Sequence, residues 1–537
     1  MNDKTLKKIQ DIVILGGGTS GWFTAAILAY QFKNAGENST PTQPKINIKL
    51  VESDQIGTIG VGEATIPPFI DALKSIEIDI IDFIKKTQST FKLAIKFTDW
   101  QLKNSQLELS EFSKNNSYLH PFGQLGQDIH NQQFYQCWLK MQSQDNATIG
   151  SIMDYSPSAQ MVENNQFSFP FQAKNTPIEA SAFALHIDAK LAADYFREYA
   201  EKLGVVRTEG LVENVIKEND GSIQSLKLQN GSIVDGDFFF DCSGFRSIII
   251  GDSLKVEFED WSKFLTVDTA VTVQTTDETD FPLFTESKAQ DFGWTWRIPL
   301  QTRTGNGYVF DSNFCSIEDA KNTLLKTVIG RPLSEPMLVK FKTGIRKKSW
   351  EKNCIAIGLS SGFLEPLEST AIHMITRGVK HFVRLFPEVN QDQCLSAEYN
   401  KRMRYDYEEI RDFLIVHYCL TKRNDTKFWQ YYRNMELTDT LKQRINLFSK
   451  RGIVNSGSDD LFIKDNWIAV MQGMGVIPES YDPLLDYYPF EETAKLLKTI
   501  PNRIDDSLKS LLNHKEFIDH YCPTILRKFR AKAIIAS

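Results

Sequence analysis

"DIVILGGGTSGWFTAAILAYQF", residues 11–32, opens with the apolar run Ile12–Leu15, breaks at three glycines and resumes as an apolar segment long enough for several helical turns. The pattern predicts a strand, a tight turn and a helix from about Gly21. Gly16, Gly18 and Gly21 stand in GxGxxG spacing. Each serves a different need: a tight turn, close backbone approach to a pyrophosphate, and close packing of helix on strand, with the helix N-terminus facing the phosphates. A second strand, "INIKLVE", follows a polar loop and ends in Glu52. A carboxylate there is placed to accept hydrogen bonds from the ribose of an adenosine, and a solvated strand end is the plain alternative.

Later segments bear on which dinucleotide is bound. "DGDFFFDCSGFRS" (235–247) reads as a buried strand running into Gly244, and "CIAIGLSSGFLEPLEST" (354–370) as another strand leading to a glycine and a helix. Strand-to-glycine turns so far from the first suit a cofactor lying across several parts of one sheet, as FAD would. No second strand-GxGxxG-helix unit occurs, so no NAD site is evident and reduced flavin is expected to come from elsewhere.

Composition narrows the class. The chain has 537 residues, 42% hydrophobic and 24% charged, and suits a soluble protein larger than one simple core. A net charge of −7 supplies no general field for nucleic acid or anionic lipid. The seven cysteines are scattered without a CxxC pair and the eight histidines do not cluster, which predicts reduced thiols in a cytoplasmic protein and no metal site. No apolar run is long enough to span a membrane, and the lysines near the N-terminus are followed by Asp11 and glycines, unlike a secretory signal. From about residue 395, apolar residues at three- and four-residue spacing predict a mainly helical region, 395–537, appended to a core of 1–394, with a basic final turn.

One segment resists a plain reading. "FKLAIKF" (91–97) places Lys92 and Lys96 in an apolar strand or short helix, where lysines ordinarily bury only their stems. "GWTWRIP" (293–299) contains a WxWxIP motif, and with "GVGEATIP" (60–67), "FKLAIKF", "HPFG" (120–123), "FALHIDAKLAADYF" (183–196), "DCSGFRS", "GFLEPLEST" and "RNDTKFW" (423–429) the chain resembles the flavin-dependent halogenases, in order, from about residue 10 to 475. The resemblance implies an α/β fold whose Rossmann-like FAD domain is of the glutathione-reductase type. It implies that hypohalous acid is made from reduced FAD, oxygen and chloride or bromide, then carried through a tunnel to a separate aromatic site.

The site residues follow from that resemblance. Lys92 and Glu368 match the catalytic pair, although a carboxylate near a helix start is also a common cap. Thr370 and Ala371 match the backbone halide site, with alanine where the family has glycine. Trp294, Trp296 and Pro299 match the wall between flavin and substrate, and His120, Phe122 and Ser369 the substrate surroundings. Thr19, Ser20, Ala64, Val212, Gly358, Leu359 and Ile372 join the glycines and Glu52 as cofactor contacts. Expected partners are an aromatic small molecule and a separate NADH-dependent flavin reductase, and a homodimer stays open. The segment 455–478 lacks the tyrosine pair and glutamate-rich lid that grip free tryptophan, so an indole, phenol, pyrrole or larger natural product is the expected substrate. A flavin monooxygenase or a non-catalytic FAD-binding protein on the same scaffold are the alternatives.

Overall fold

A computed structural model describes residues 8–37, 45–56, 62–102, 116–144, 149–276, 281–389 and 392–524. Gly60 and Val61 of the GVGEATIP motif and the basic final turn lie outside them. The chain forms two compact units, each assembled from three segments. The first comprises Met1–Ser89, Ile187–Asp268 and Lys340–Glu408, the second Thr90–His186, Thr269–Val339 and Glu409–Ser537.

In the first unit the opening strand, Asp11–Leu15, is central to a six-stranded sheet ordered Trp350–Glu351, Cys354–Ala356, Phe238–Asp241, Asp11–Leu15, Asn47–Glu52, Val206–Glu209. The strands pair in parallel except the Trp350–Glu351 edge. Alternation divides its faces. Val13, Leu15, Val51 and Phe239 pack with Ile223, Leu226 and Leu228 of a separate three-stranded antiparallel sheet. Phe238 and Phe240 point the other way, onto Phe382 of the helix Ala371–Arg384. The first helix, Thr19–Glu37, starts two residues earlier than its sequence pattern suggests and stacks Phe23 on Phe196 of the helix Ala189–Lys202 at 4.3 Å. Each fully buried Phe contributes about 1.5–3 kcal/mol to this layering.

The second unit holds a seven-stranded sheet ordered Met337–Lys340, Thr269–Thr276, Arg303–Phe310, Gly293–Pro299, Phe284–Gln290, Ala94–Thr98, Ser117–Pro121. From Thr269–Thr276 to Ser117–Pro121 its pairs are antiparallel except Phe284–Gln290 with Ala94–Thr98. Most of the C-terminal region is helical, including Gln393–Cys419, Asp439–Arg451, Lys464–Gly473 and Glu491–Leu508. Among the described residues no helix is long and apolar enough to cross a membrane, and no group of His, Cys, Asp or Glu is arranged to hold a metal.

Candidate active site

The glycine turn is shaped by its neighbours. Gly16 has φ +119°, and a Cβ there would lie 2.2 Å from the Cys242 carbonyl oxygen, so only glycine fits. A Cβ on Gly21 would meet the Gly16 oxygen at 1.8 Å, which is the close helix-to-strand approach its spacing predicts. Gly18 differs: nothing lies within 4 Å of where its Cβ would be. That open face is where a phosphate could approach the backbone.

Two later turns join this one at the same end of the sheet. Asp241, fully buried at the end of its strand, accepts from the amides of Ser243, Ile249 and Ile250 and from the hydroxyls of Ser243 and Ser360. Ser360 in turn lies within 3.0 Å of the Gly244 carbonyl. Gly358, φ +65°, sits against Ser20, where a Cβ would come within 2.6 Å of the hydroxyl. The loops after Leu15, Asp241 and Ala356 therefore converge, as ligand crevices do beyond the carboxyl ends of parallel strands. Asp241 was not singled out from sequence. Its signal was present: an acidic residue ending an otherwise apolar strand is costly to bury unless backbone donors surround it.

Glu52 is not a solvated strand end. Its Oε1 accepts from Arg207 Nε at 2.6 Å with Arg197 at 3.8 Å, while Oε2 leans over the Gly17 Cα. The two arginines, which sequence reading missed, orient the carboxylate above the glycine turn. Thr19 Oγ1 donates to the Ala189 carbonyl. Ala64 is part-exposed on the short strand Gly62–Ala64, and Val212 starts the strand Val212–Lys217. Beside Ala64, burial and then the charge of Asp188 push the Glu63 carboxyl up to about 7. An open glycine face, a carboxylate held over the turn and three converging turns fit FAD.

Also in this unit, Glu365 and Glu368 are both fully buried, Glu368 ending the 3-10 turn Pro366–Glu368. Ser369 adopts the left-handed region, φ 59°, before the helix Ala371–Arg384. Thr370 occupies its N-cap position without a side-chain capping bond. A Cβ is accommodated at 371, because Ala371 is the first residue of the helix and the left-handed conformation falls on Ser369 instead. Ala371 is exposed and Ile372 is buried.

In the second unit Lys92 ends the strand Thr90–Lys92 and is 0% exposed, whereas Lys96, on the strand Ala94–Thr98, keeps partial access to solvent. The Lys92 Nζ stands 5.2 Å from the centroid of the Phe122 ring. The Phe122 amide donates to the Leu93 carbonyl at 2.8 Å, which ties the HPFG segment to the lysine's strand. His120 is buried, within 2.9 Å of Asn466 Nδ2, and surrounded by Phe122, Phe413 and Phe462. Asp465 accepts from the Leu125 amide. The segment 462–467 thus covers HPFG with Phe462 and Asn466, two neighbours that sequence reading passed over because they lie over 300 positions away.

Trp294, Trp296 and Ile298 share one face of the strand Gly293–Pro299, with Trp294 wholly enclosed and Trp296 part-exposed. The two rings lie 6.0 Å apart. Gly307, opposite Trp296 in register, leaves room for the indole.

Such a crevice, built on a GxGxxG turn with a carboxylate held over it, defines an α/β dinucleotide-binding fold. The tryptophan halogenase family profile matches residues 11–489. Tryptophan 7-halogenase RebH of Lentzea aerocolonigenes is 30% identical over 95% of this chain and 98% of its own. Among solved structures, a flavin-dependent halogenase from Xanthomonas campestris is 38% identical with a TM-score of 0.88, covering 96% of this chain and 99% of that one. The flavin-dependent halogenase BrvH from Brevundimonas sp. BAL3 is 36% identical with a TM-score of 0.87, covering 96% and 100%. The chain belongs to the tryptophan halogenase family. It is a flavin-dependent halogenase, an enzyme using reduced FAD, oxygen and a chloride or bromide co-substrate.

Proposed function

We propose that this enzyme halogenates an indole or another electron-rich aromatic, with Lys92 and Glu368 as the catalytic pair and reduced flavin supplied by a separate NADH-dependent reductase. The single observation carrying this reading is the complete burial of Lys92 beside Phe122. Taking an ammonium out of water is costly, and a side chain that only packed the strand would not need the charge. Reduced FAD, when bound, supplies with oxygen and halide the oxidant, hypohalous acid. Lys92, a donor with no acceptor capacity when charged, hydrogen-bonds the oxidant and polarises its O–X bond. The ring's electron pair forms the C–X bond, the hydroxide leaves as water after taking a proton, and the ring loses its hydrogen as a second proton. Glu368 stabilises the cationic ring until that proton departs, a task suited to a fixed carboxylate away from water.

In the same reading Thr370 and Ala371 bind halide through backbone amides at the helix N-terminus. Trp294, Trp296 and Pro299 wall the oxidant source from the substrate, which passes hypohalous acid but denies the flavin direct contact with the ring. His120, Phe122 and Ser369 border the substrate. RebH carries tryptophan in its name; for this chain the absence of a paired-tyrosine, glutamate-rich grip in 455–478 favours substrates without a free amino-acid group. The cysteine pattern supports a cytoplasmic setting.

A panel of indoles, phenols, pyrroles and free tryptophan, incubated with FAD, a flavin reductase, NADH, oxygen and bromide or chloride, tests the proposal by isotope pattern. Halogenated indole is the expected product, and Lys92→Ala should lose it while still binding FAD. An oxygenated product made equally well by Lys92→Ala would replace this reading with a monooxygenase.

A further inference from the structure

The Thr90–Lys92 strand is held by two buried histidines. Thr90 lies opposite His186 and Lys92 opposite Ala184 in antiparallel register. The Thr90 hydroxyl donates to the carbonyl of Pro299, the last residue of WxWxIP, at 2.7 Å. With its one proton committed there, the same oxygen accepts from His186 Nδ1 at 3.0 Å. His186 Nε2 faces the Thr285 hydroxyl at 2.9 Å. Burial first, then the charge of Lys92, hold this imidazole well below the ordinary histidine range.

His514, the first residue of the helix His514–Tyr521, is also fully buried. The Phe91 amide donates to its Nε2 at 3.2 Å, and its Nδ1 faces the Phe281 carbonyl at 3.1 Å. An amide only donates and a carbonyl only accepts, so this ring carries its proton on Nδ1 and presents a lone pair to Phe91. A second proton would set N–H against N–H. One residue further on, the Leu93 amide donates to the Leu283 carbonyl at 2.6 Å. The backbone on both sides of Lys92 is therefore fixed by named partners. His514 lies beyond residue 489, where the family profile ends.

We propose that His186 and His514 are positioning residues for Lys92, fixing from two sides the strand that carries it and linking that strand to Pro299. This rests on the reading of Lys92 as the group that handles the oxidant. Neither histidine needs to touch substrate. Their effect is on where the ammonium sits, and displacements of about 1 Å cost on the order of a hundredfold in rate.

The test uses the full chain with FAD, a flavin reductase, NADH, oxygen, bromide and indole as the probe. Brominated indole per NADH is read beside hypobromite trapped in solution, FAD binding and thermal midpoint. In His186→Leu and His514→Leu, bromination per NADH should fall at least tenfold while trapped hypobromite rises and FAD still binds. His514→Gln, whose amide offers one acceptor and one donor, should recover at least half of the lost coupling, as should His186→Asn with its donor toward Thr90. Unchanged coupling in the leucine variants, rescue variants no better than leucine, or bromination falling only in step with folded protein would each overturn the proposal. Lys92→Ala separates the two ideas: if it brominates indole normally, the reading of Lys92 fails and the positioning role with it, whereas an inactive Lys92→Ala beside fully coupled histidine variants refutes the positioning role alone.

Discussion

Gly307 decides where Trp296 can lie. A Cβ there would fall 2.1 Å from two carbons of the indole ring, so Gly307→Ala must displace Trp296 or bend its strand. Overpacking of this kind costs about 1–3 kcal/mol. The expected result is a lower thermal midpoint with an altered near-ultraviolet circular dichroism band. Glu63 governs a pH effect. Its carboxyl titrates near 4.5 in the unfolded chain and is pushed up to about 7 in the fold, by burial and then by Asp188. The folded state therefore holds this proton more tightly. The associated stability is complete below 4.5 and is lost as pH rises through about 7. With its partial exposure discounted, the effect is on the order of 2 kcal/mol. Urea unfolding without FAD at pH 5.5 and pH 8 should show this loss in the wild type and not in Glu63→Gln. Neither effect was legible in sequence, since each depends on a partner from another strand or helix.

At the scale of elements, the start of the helix Ala371–Arg384 is set by Ser369, whose left-handed backbone turns the chain from the Glu368 segment into the helix. A β-branched residue tolerates that conformation poorly. Ser369→Val should cost about 1–3 kcal/mol and shift the first helical amides, raising the KM for bromide severalfold with FAD affinity retained. Steady-state kinetics against bromide, with flavin binding measured in parallel, checks this. Asp241 makes the corresponding junction between strand and turn. Asp241→Ala would leave buried amides of Ile249 and Ile250 without their acceptor, at about 1–3 kcal/mol each. Weaker FAD binding and a lower thermal midpoint should appear together. The GxGxxG turn was readable because its spacing belongs to one strand-turn-helix unit, in which Gly21 packs onto Gly16 and Gly18 is left open. The Asp241 cluster was half readable: the strand and Gly244 stood out, while the hydroxyl of Ser360 comes from 119 positions away.

For the whole molecule, the first unit contains the three converging turns that fit FAD, so ligand binding should stabilise the fold there. At 100 times its dissociation constant FAD adds about 2.7 kcal/mol to the unfolding free energy. A thermal-shift titration should show the midpoint rising with FAD and, at matched concentration, failing to rise comparably in Gly18→Val, whose side chain would fill the open face. Periodicity locates where helices begin to dominate, near residue 395, but compactness is set by contacts between segments far apart, and three stretches of chain interleave to make each unit. By itself the sequence determined the βαβ opening, the order of motifs and the residue types available for chemistry, because turn sterics and apolar periodicity act over a few neighbours. The tertiary structure alone decided that Lys92 is enclosed and Lys96 is not, that Glu52 is turned by Arg207, and that His120 meets Asn466. Burial and hydrogen-bond partnership are properties of what packs around a side chain, and those neighbours are supplied by parts of the chain that local sequence does not specify.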